Sequence, residues 1–162
     1  MRILKLSVLL LVMLSNINFA AAQVVQGPFP WVKIGGLPMH CTTARGQSVD
    51  IYIDQRVNQY IGTASNNGHP IIRLGPGFFN QVPPFVGQFW FSHECAHHVV
   101  GSSEVASDCL AIKMMRDNGL ISNDYRLEML INQISQMPGT SRHLPGPMRA
   151  EKIRQCFFDI WN

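Results

Sequence analysis

The chain has 162 residues, with 13 Lys and Arg against 10 Asp and Glu, a formal net charge of +3 and 46% apolar residues. That length and apolar content suit one domain with a buried core. The near-balanced charge, with no basic cluster and no basic stripe interleaved with aromatics, argues against a nucleic-acid or anionic-membrane surface.

Residues 1–22 read as an export signal. Arg2 and Lys5 form a basic start, Leu6 to Leu14 an apolar run, and Ala20-Ala21-Ala22 supplies the small residues a signal peptidase needs. The apolar run is too short to span a bilayer comfortably, no Cys follows it to take a lipid, and no later stretch approaches membrane-span length. The rival is a transmembrane anchor. The mature chain, residues 23–162, is expected to be one domain in a periplasm or outside the cell, without stable membrane insertion. Losing Arg2 and Lys5 leaves 11 basic residues against 10 acidic, a net charge of +1.

Gln23 to Cys41 is rich in Pro and Gly and reads as an extended arm over the domain. Ser48 to Asp54 alternates apolar and polar residues, which is strand periodicity; Asn66-Asn67-Gly68 marks a turn, and Pro70 to Leu74 is a second short strand. The expected arrangement is a small antiparallel sheet ahead of a run of helices. The first helix starts after Pro83-Pro84 and runs to Val100, since Pro is tolerated only in a first turn. Its Phe85, Phe89, Ala96 and Val99 form a core flank. A second helix spans Glu104 to Asn118, capped by Ser102 or Ser103, with Val105, Cys109 and Ile112 and with Ala106 and Leu110 at apolar spacing. A third covers Asn123 to Gln136 with Leu127, Leu130, Ile131 and Ile134 inward, and a last one runs from Met148 to Phe158.

The first helix carries the most specific feature, His93-Glu94-Cys95-Ala96-His97, an HExxH motif. Fewer than about one chain in a hundred of this composition would hold it by accident. On a helix the two His lie one turn apart on one face, so both imidazoles reach one tetrahedral zinc, and Glu94 stands beside a water on that metal. A catalytic zinc wants three protein ligands and an open position. Glu104 is the expected third ligand, because a turn at Gly101 returns the second helix beside His97. Asp108, one turn further on, would accept the remaining ring N–H of His93. The alternative makes Asp108 the ligand and Glu104 a surface acid.

Glu94 would accept a proton from the metal-activated water and pass it to the leaving amine. An oxyanion donor is wanted opposite the metal, and His143 in the loop Thr140 to Pro145 is the candidate. His98 points about 100° from His97 on the helix and reads as a supporting or surface residue, as do His40 and His69. The aromatic residues Phe78, Phe79, Phe89, Trp90 and Phe91 read as core, with Trp90 on the His93 face.

Four cysteines in an exported domain imply two disulfides among three connectivities. Cys95 and Cys109 lie on consecutive helices about the Gly101 turn, so Cys95 with Cys109 and Cys41 with Cys156 is the expected pairing. Zinc binding by these cysteines is the rival, although no CxxC occurs.

The His93 to His97 pentad, the Glu104-Val105-Ala106-Ser107-Asp108 segment followed by Ala111, and His143-Leu144-Pro145 with Arg149 together resemble the gluzincins, and within them the family of HtpX and the CAAX prenyl proteases. The resemblance covers roughly residues 70–156. It implies zinc on His93, His97 and Glu104, a base at Glu94, Asp108 behind a ligand, and His143 and Arg149 near the site. The interval from His97 to Glu104 is shorter than is usual in that family, and the membrane helices of its best-known members are absent. Since His93 to Glu104 also reads as HExxHxxxGxxE, a metzincin-like geometry with a turn at Met137-Pro138 is the structural alternative.

The expected fold is α+β and zincin-like, with Ile71 to Leu74 as an edge strand able to pair with an extended peptide. The expected function is a zinc-dependent endopeptidase with one Zn²⁺ per chain, acting on peptides or on unfolded or exported proteins. Two other readings remain: a non-catalytic zinc- or partner-binding module, and a zinc hydrolase of a non-peptide amide such as a cell-wall component.

Overall fold

A computed structural model describes residues 25–57, 62–79 and 81–159. The export signal expected at residues 1–22 lies outside the described residues. Among the described residues, no helix is long and apolar enough to cross a membrane.

The class is α+β. Strands β1 (Val25–Phe29), β2 (Val32–Ile34), β3 (Leu37–Met39), β4 (Asp50–Asp54), β5 (Gly62–Asn66) and β6 (Pro70–Leu74) precede helices α1 (Pro84–Val100), α2 (Glu104–Asp117), α3 (Asp124–Ser135) and α4 (Gly146–Phe158). The four-stranded sheet runs β1-β4-β6-β5, and β2 pairs with β3 as a separate hairpin. The expected antiparallel sheet is corrected to a mixed one, because β4 and β6 run parallel. The reason is β5, which the sequence reading missed. It forms a hairpin with β6 through the turn after Asn66 and takes the outer position, so β4 must pair with the far side of β6. Consequently β6 is an interior strand, and the edge expected at Ile71 to Leu74 belongs to β5. The N-terminal arm is likewise more ordered than expected: β1 pairs antiparallel with β4, and β2 and β3 turn through Gly35-Gly36.

α1 lies between two apolar clusters, which fixes how it presents its polar flank. Phe89 packs with Ala111, Ile112, Leu130 and Ile153 of the other helices, whereas Phe91 and Cys95 pack with Ile51, Ile72 and Leu74 of the sheet. Burying both sides leaves one strip of the helix for chemistry. Truncating a fully buried ring such as Phe89 costs about 3–5 kcal/mol. Val99 and Val105, expected to pack inward, are exposed at 42% and 40%, beside the Gly101 connection between α1 and α2. In α3 the expected stripe of Leu127, Leu130, Ile131 and Ile134 is buried throughout.

The disulfides are Cys41–Cys95 and Cys109–Cys156, so the expected pairing of Cys95 with Cys109 is wrong. Although consecutive helices carry them, Cys95 faces the sheet-side cluster and Cys109 the helix-side cluster. The Cα atoms of the real pairs lie 5.6 Å and 5.1 Å apart, within the reach of a disulfide. One bridge ties α1 to the segment after β3; the other ties α2 to α4. No cysteine is free to bind metal.

Candidate metal centre

α1 begins at Pro84, where a missing N–H costs nothing, and ends at Gly101, whose φ of 78° suits a residue without a Cβ. The Gly101 N–H donates to His97 O at 3.1 Å, closing the turn. Ser103 then caps α2, its side chain accepting from the Ala106 N–H at 3.3 Å. This tight connection sets Glu104, in the first turn of α2, against the His face of α1.

The ligand atoms converge. His93 Nε2 lies 3.1 Å from His97 Nε2 and 3.1 Å from Glu104 Oε2, and His97 Nε2 lies 3.4 Å from Glu104 Oε2. Bonds of about 2.0–2.2 Å to a tetrahedral metal require donor separations of about 3.3–3.5 Å, so these three atoms fit one ion after small shifts. His143 Nε2 stands 3.0 Å from the same Glu104 oxygen. His93, Glu104 and His143 offer atoms all within 4.8 Å of one another, a group able to hold a metal ion.

The distal ring nitrogens decide which imidazoles face a metal with a lone pair. His93 Nδ1 lies 2.7 Å from Asp108 Oδ1, and a carboxylate only accepts, so Nδ1 carries the proton and Nε2 is the free acceptor. His97 Nδ1 lies 2.7 Å from Gly101 O, a carbonyl, with the same result. His143 differs. Thr140 Oγ1 already accepts from the N–H groups of Arg142 at 3.2 Å and His143 at 2.9 Å, so its hydroxyl proton goes to His143 Nδ1 at 3.1 Å. That leaves the proton on Nε2, making His143 a donor toward Glu104. These partners are consistent with His93, His97 and Glu104 as candidate donors, and His143 lies within the same group able to hold an ion. Burial, with the positive charge of Arg149 added, lowers the His143 pKa.

Asp108 is not available as a ligand. Besides His93, it accepts Arg149 Nη2 at 2.6 Å on Oδ1 and Arg149 Nε at 2.5 Å on Oδ2, so both oxygens are engaged. Burial pushes its carboxyl up, and the hydrogen bonds from Arg149 and His93 outweigh that, leaving the pKa lowered. Arg149 is itself buried and stacks 4.6 Å over the Trp90 ring, which in turn meets His93 edge-on. This column of Trp90, Arg149 and Asp108 holds the His93 ring from behind.

Glu94 is on the same strip but touches none of the three donors as a ligand. Burial raises its pKa, partly offset by His93 and His97 and by a hydrogen bond with the Ala64 backbone. β5 passes close overhead: a Cβ at Gly62 would lie 2.8 Å from Glu94 Cγ. A cleft of about 490 Å³ opens here, lined by Gly62 to Ser65 of β5, by Glu94 and His97, and by Arg142 and His143.

His98 stands apart from the donors, its Nε2 3.2 Å from Ile71 O, and His69 pairs with Asp50 at 2.8 Å on the surface. The residues missed by sequence reading are Thr140, Ser107 and Gly62. Ser107 Oγ reaches His97 Nδ1 at 3.0 Å, and its i+3 spacing from Glu104 was a usable signal. Thr140 and Gly62 carry no comparable signal, since their roles depend on how distant segments meet. Compared with family models, curated proteins and solved structures, the chain matches none.

Proposed function

We propose that the protein is a zinc-dependent endopeptidase with a zincin-like site, similar in its motifs to the gluzincins of the HtpX and CAAX prenyl protease family. The supporting observation is Glu94: a proton-binding carboxylate, raised in pKa by burial, standing in an open cleft beside His93 and His97. A purely structural zinc site closes its fourth position with protein and has no use for such a base. Two imidazoles and one carboxylate are a donor set that suits zinc.

When bound, zinc polarises a carbonyl and lowers the pKa of a water at its open position to about 7. Glu94 accepts the proton of the attacking water on its carboxylate and returns it to the departing amine. Asp108 holds the His93 tautomer, and Gly101 O holds that of His97. His143, its ring held by Thr140, points Nε2 at Glu104 Oε2 in this structure, and on substrate binding that N–H turns from Glu104 to the developing oxyanion. β5, the edge strand beside Glu94, presents backbone to an extended chain, so a peptide binds by strand pairing with little demand on side chains. The two disulfides accord with an oxidising, exported setting.

The test is cleavage of an unfolded protein by zinc-loaded wild type and by Glu94→Gln, with zinc content measured for both. Cleavage by wild type alone supports the reading. Equal, negligible cleavage by two zinc-loaded proteins would leave a binding module as the better account.

A further inference from the structure

Among the described residues, the cleft lining includes one Lys or Arg, Arg142. The lining also includes two carboxylates, Glu94 and Glu104, which lie with the candidate metal donors. Arg142 lines the same cleft and is exposed. Among the described residues its guanidinium has no hydrogen-bond or ion-pair partner; only its backbone N–H is engaged, by Thr140 Oγ1. Every other arginine in the helical half is anchored: Arg116 to Phe157 O and Asp117, Arg126 to Leu120 O, Arg149 to Asp108, and Arg154 to Glu128. The backbone of Arg142 is held in place. The Thr140 turn that orients His143 includes it, with Thr140 N donating to His143 O at 3.0 Å.

We infer that Arg142 is the substrate-selecting residue of the cleft, and that it anchors a carboxylate of the bound polypeptide. This rests on the peptidase reading above. Arg142 is the one permanently charged cation among the described residues lining the cleft, so at its own position it attracts a carboxylate and repels a cation. The opposite wall is built from Gly62, Thr63, Ala64 and Ser65, whose small neutral side chains impose no charge preference. An acidic side chain and a free chain terminus offer the same carboxylate chemistry, and both are within the claim.

The test uses zinc-loaded full-length mature protein and quenched peptides that differ only in Glu or Asp against Gln or Asn near the scissile bond, each with a free or amidated C-terminus. Wild type should cleave the acidic member about 5-fold faster in kcat/KM, the scale of a partly exposed ion pair. Arg142→Gln should remove the preference, Arg142→Glu should invert it toward Lys, and added salt should weaken it. Sensitivity to amidation alone would identify the terminus as the group bound. Binding of the same peptides to the Glu94→Gln variant, read by fluorescence anisotropy, should follow the same order. A profile unchanged by Arg142→Gln in both assays overturns the inference while leaving the peptidase reading intact. Arg142-dependent binding with no cleavage of any peptide by wild type would do the reverse.

Discussion

His93 Nδ1 and Asp108 Oδ1 lie 2.7 Å apart across two helices, and this hydrogen bond fixes both the tautomer and the aim of the first candidate ligand. Asp108 is in turn gripped by the buried Arg149. Glu104→Ala should therefore abolish most metal binding, whereas Asp108→Asn should weaken it by about 10- to 100-fold, as partners behind a ligand typically do. Chelator competition with the purified variants checks both. Asp108→Asn emptying the site while Glu104→Ala retains metal would reverse the assignment.

Glu94 offers a test in the metal-free protein. Its folded pKa is raised above the ordinary 4.5 by burial, so the folded state holds the proton more tightly than the unfolded chain does. Stability then falls as pH rises from that ordinary value through the raised one, and the loss persists above it. Glu94→Gln, which carries no charge, should melt higher than wild type at neutral pH in the presence of chelator, and equally below the window. In the zinc-loaded enzyme the same substitution should cost about 10²- to 10⁴-fold in turnover.

His143 is held by Thr140 through its main-chain N–H and its ring. His143→Ala should lower kcat with zinc content unchanged. Thr140→Val should do the same to a smaller degree, since it frees the ring to adopt the other tautomer without removing it. Loss of zinc in His143→Ala would make His143 a ligand instead.

Gly62 leaves no room for a side chain over Glu94. Gly62→Ala should reduce turnover by displacing the Glu94 carboxylate, while circular dichroism and zinc content stay as in wild type. Unchanged kcat would show that β5 yields freely at this point.

Non-reducing peptide mapping should return Cys41 with Cys95 and Cys109 with Cys156. Cys109 adjoins Asp108, and Cys95 lies between the two His. Cys109→Ser with Cys156→Ser should cost about 2–5 kcal/mol of stability, seen in denaturant melts.

What the sequence by itself determined is local. The HExxH spacing sets two imidazoles on one helix face whatever the surroundings, because side chains four residues apart on a helix are neighbours. Pro84, Gly101 and Ser103 place the helix ends within a residue or two, and the Gly101 turn brings Glu104 to His97 as expected. The stripe of Leu127, Leu130, Ile131 and Ile134 was equally legible, since it is periodicity on one element. Tertiary structure decided everything that joins segments far apart in the chain. Cys95 and Cys109 look like partners along the sequence, yet the rotation of each helix about its own axis turns one toward the sheet and the other toward the helices. β5 has few apolar residues, so neither its existence nor the parallel pairing it forces on β4 and β6 could be read from alternation. His143 and Arg142 reach the cleft because a Thr140 turn, nearly forty residues after the motif helix by count along the chain, folds back onto it. Such meetings are set by the packing of α4 against α2 and α3, which no local pattern encodes.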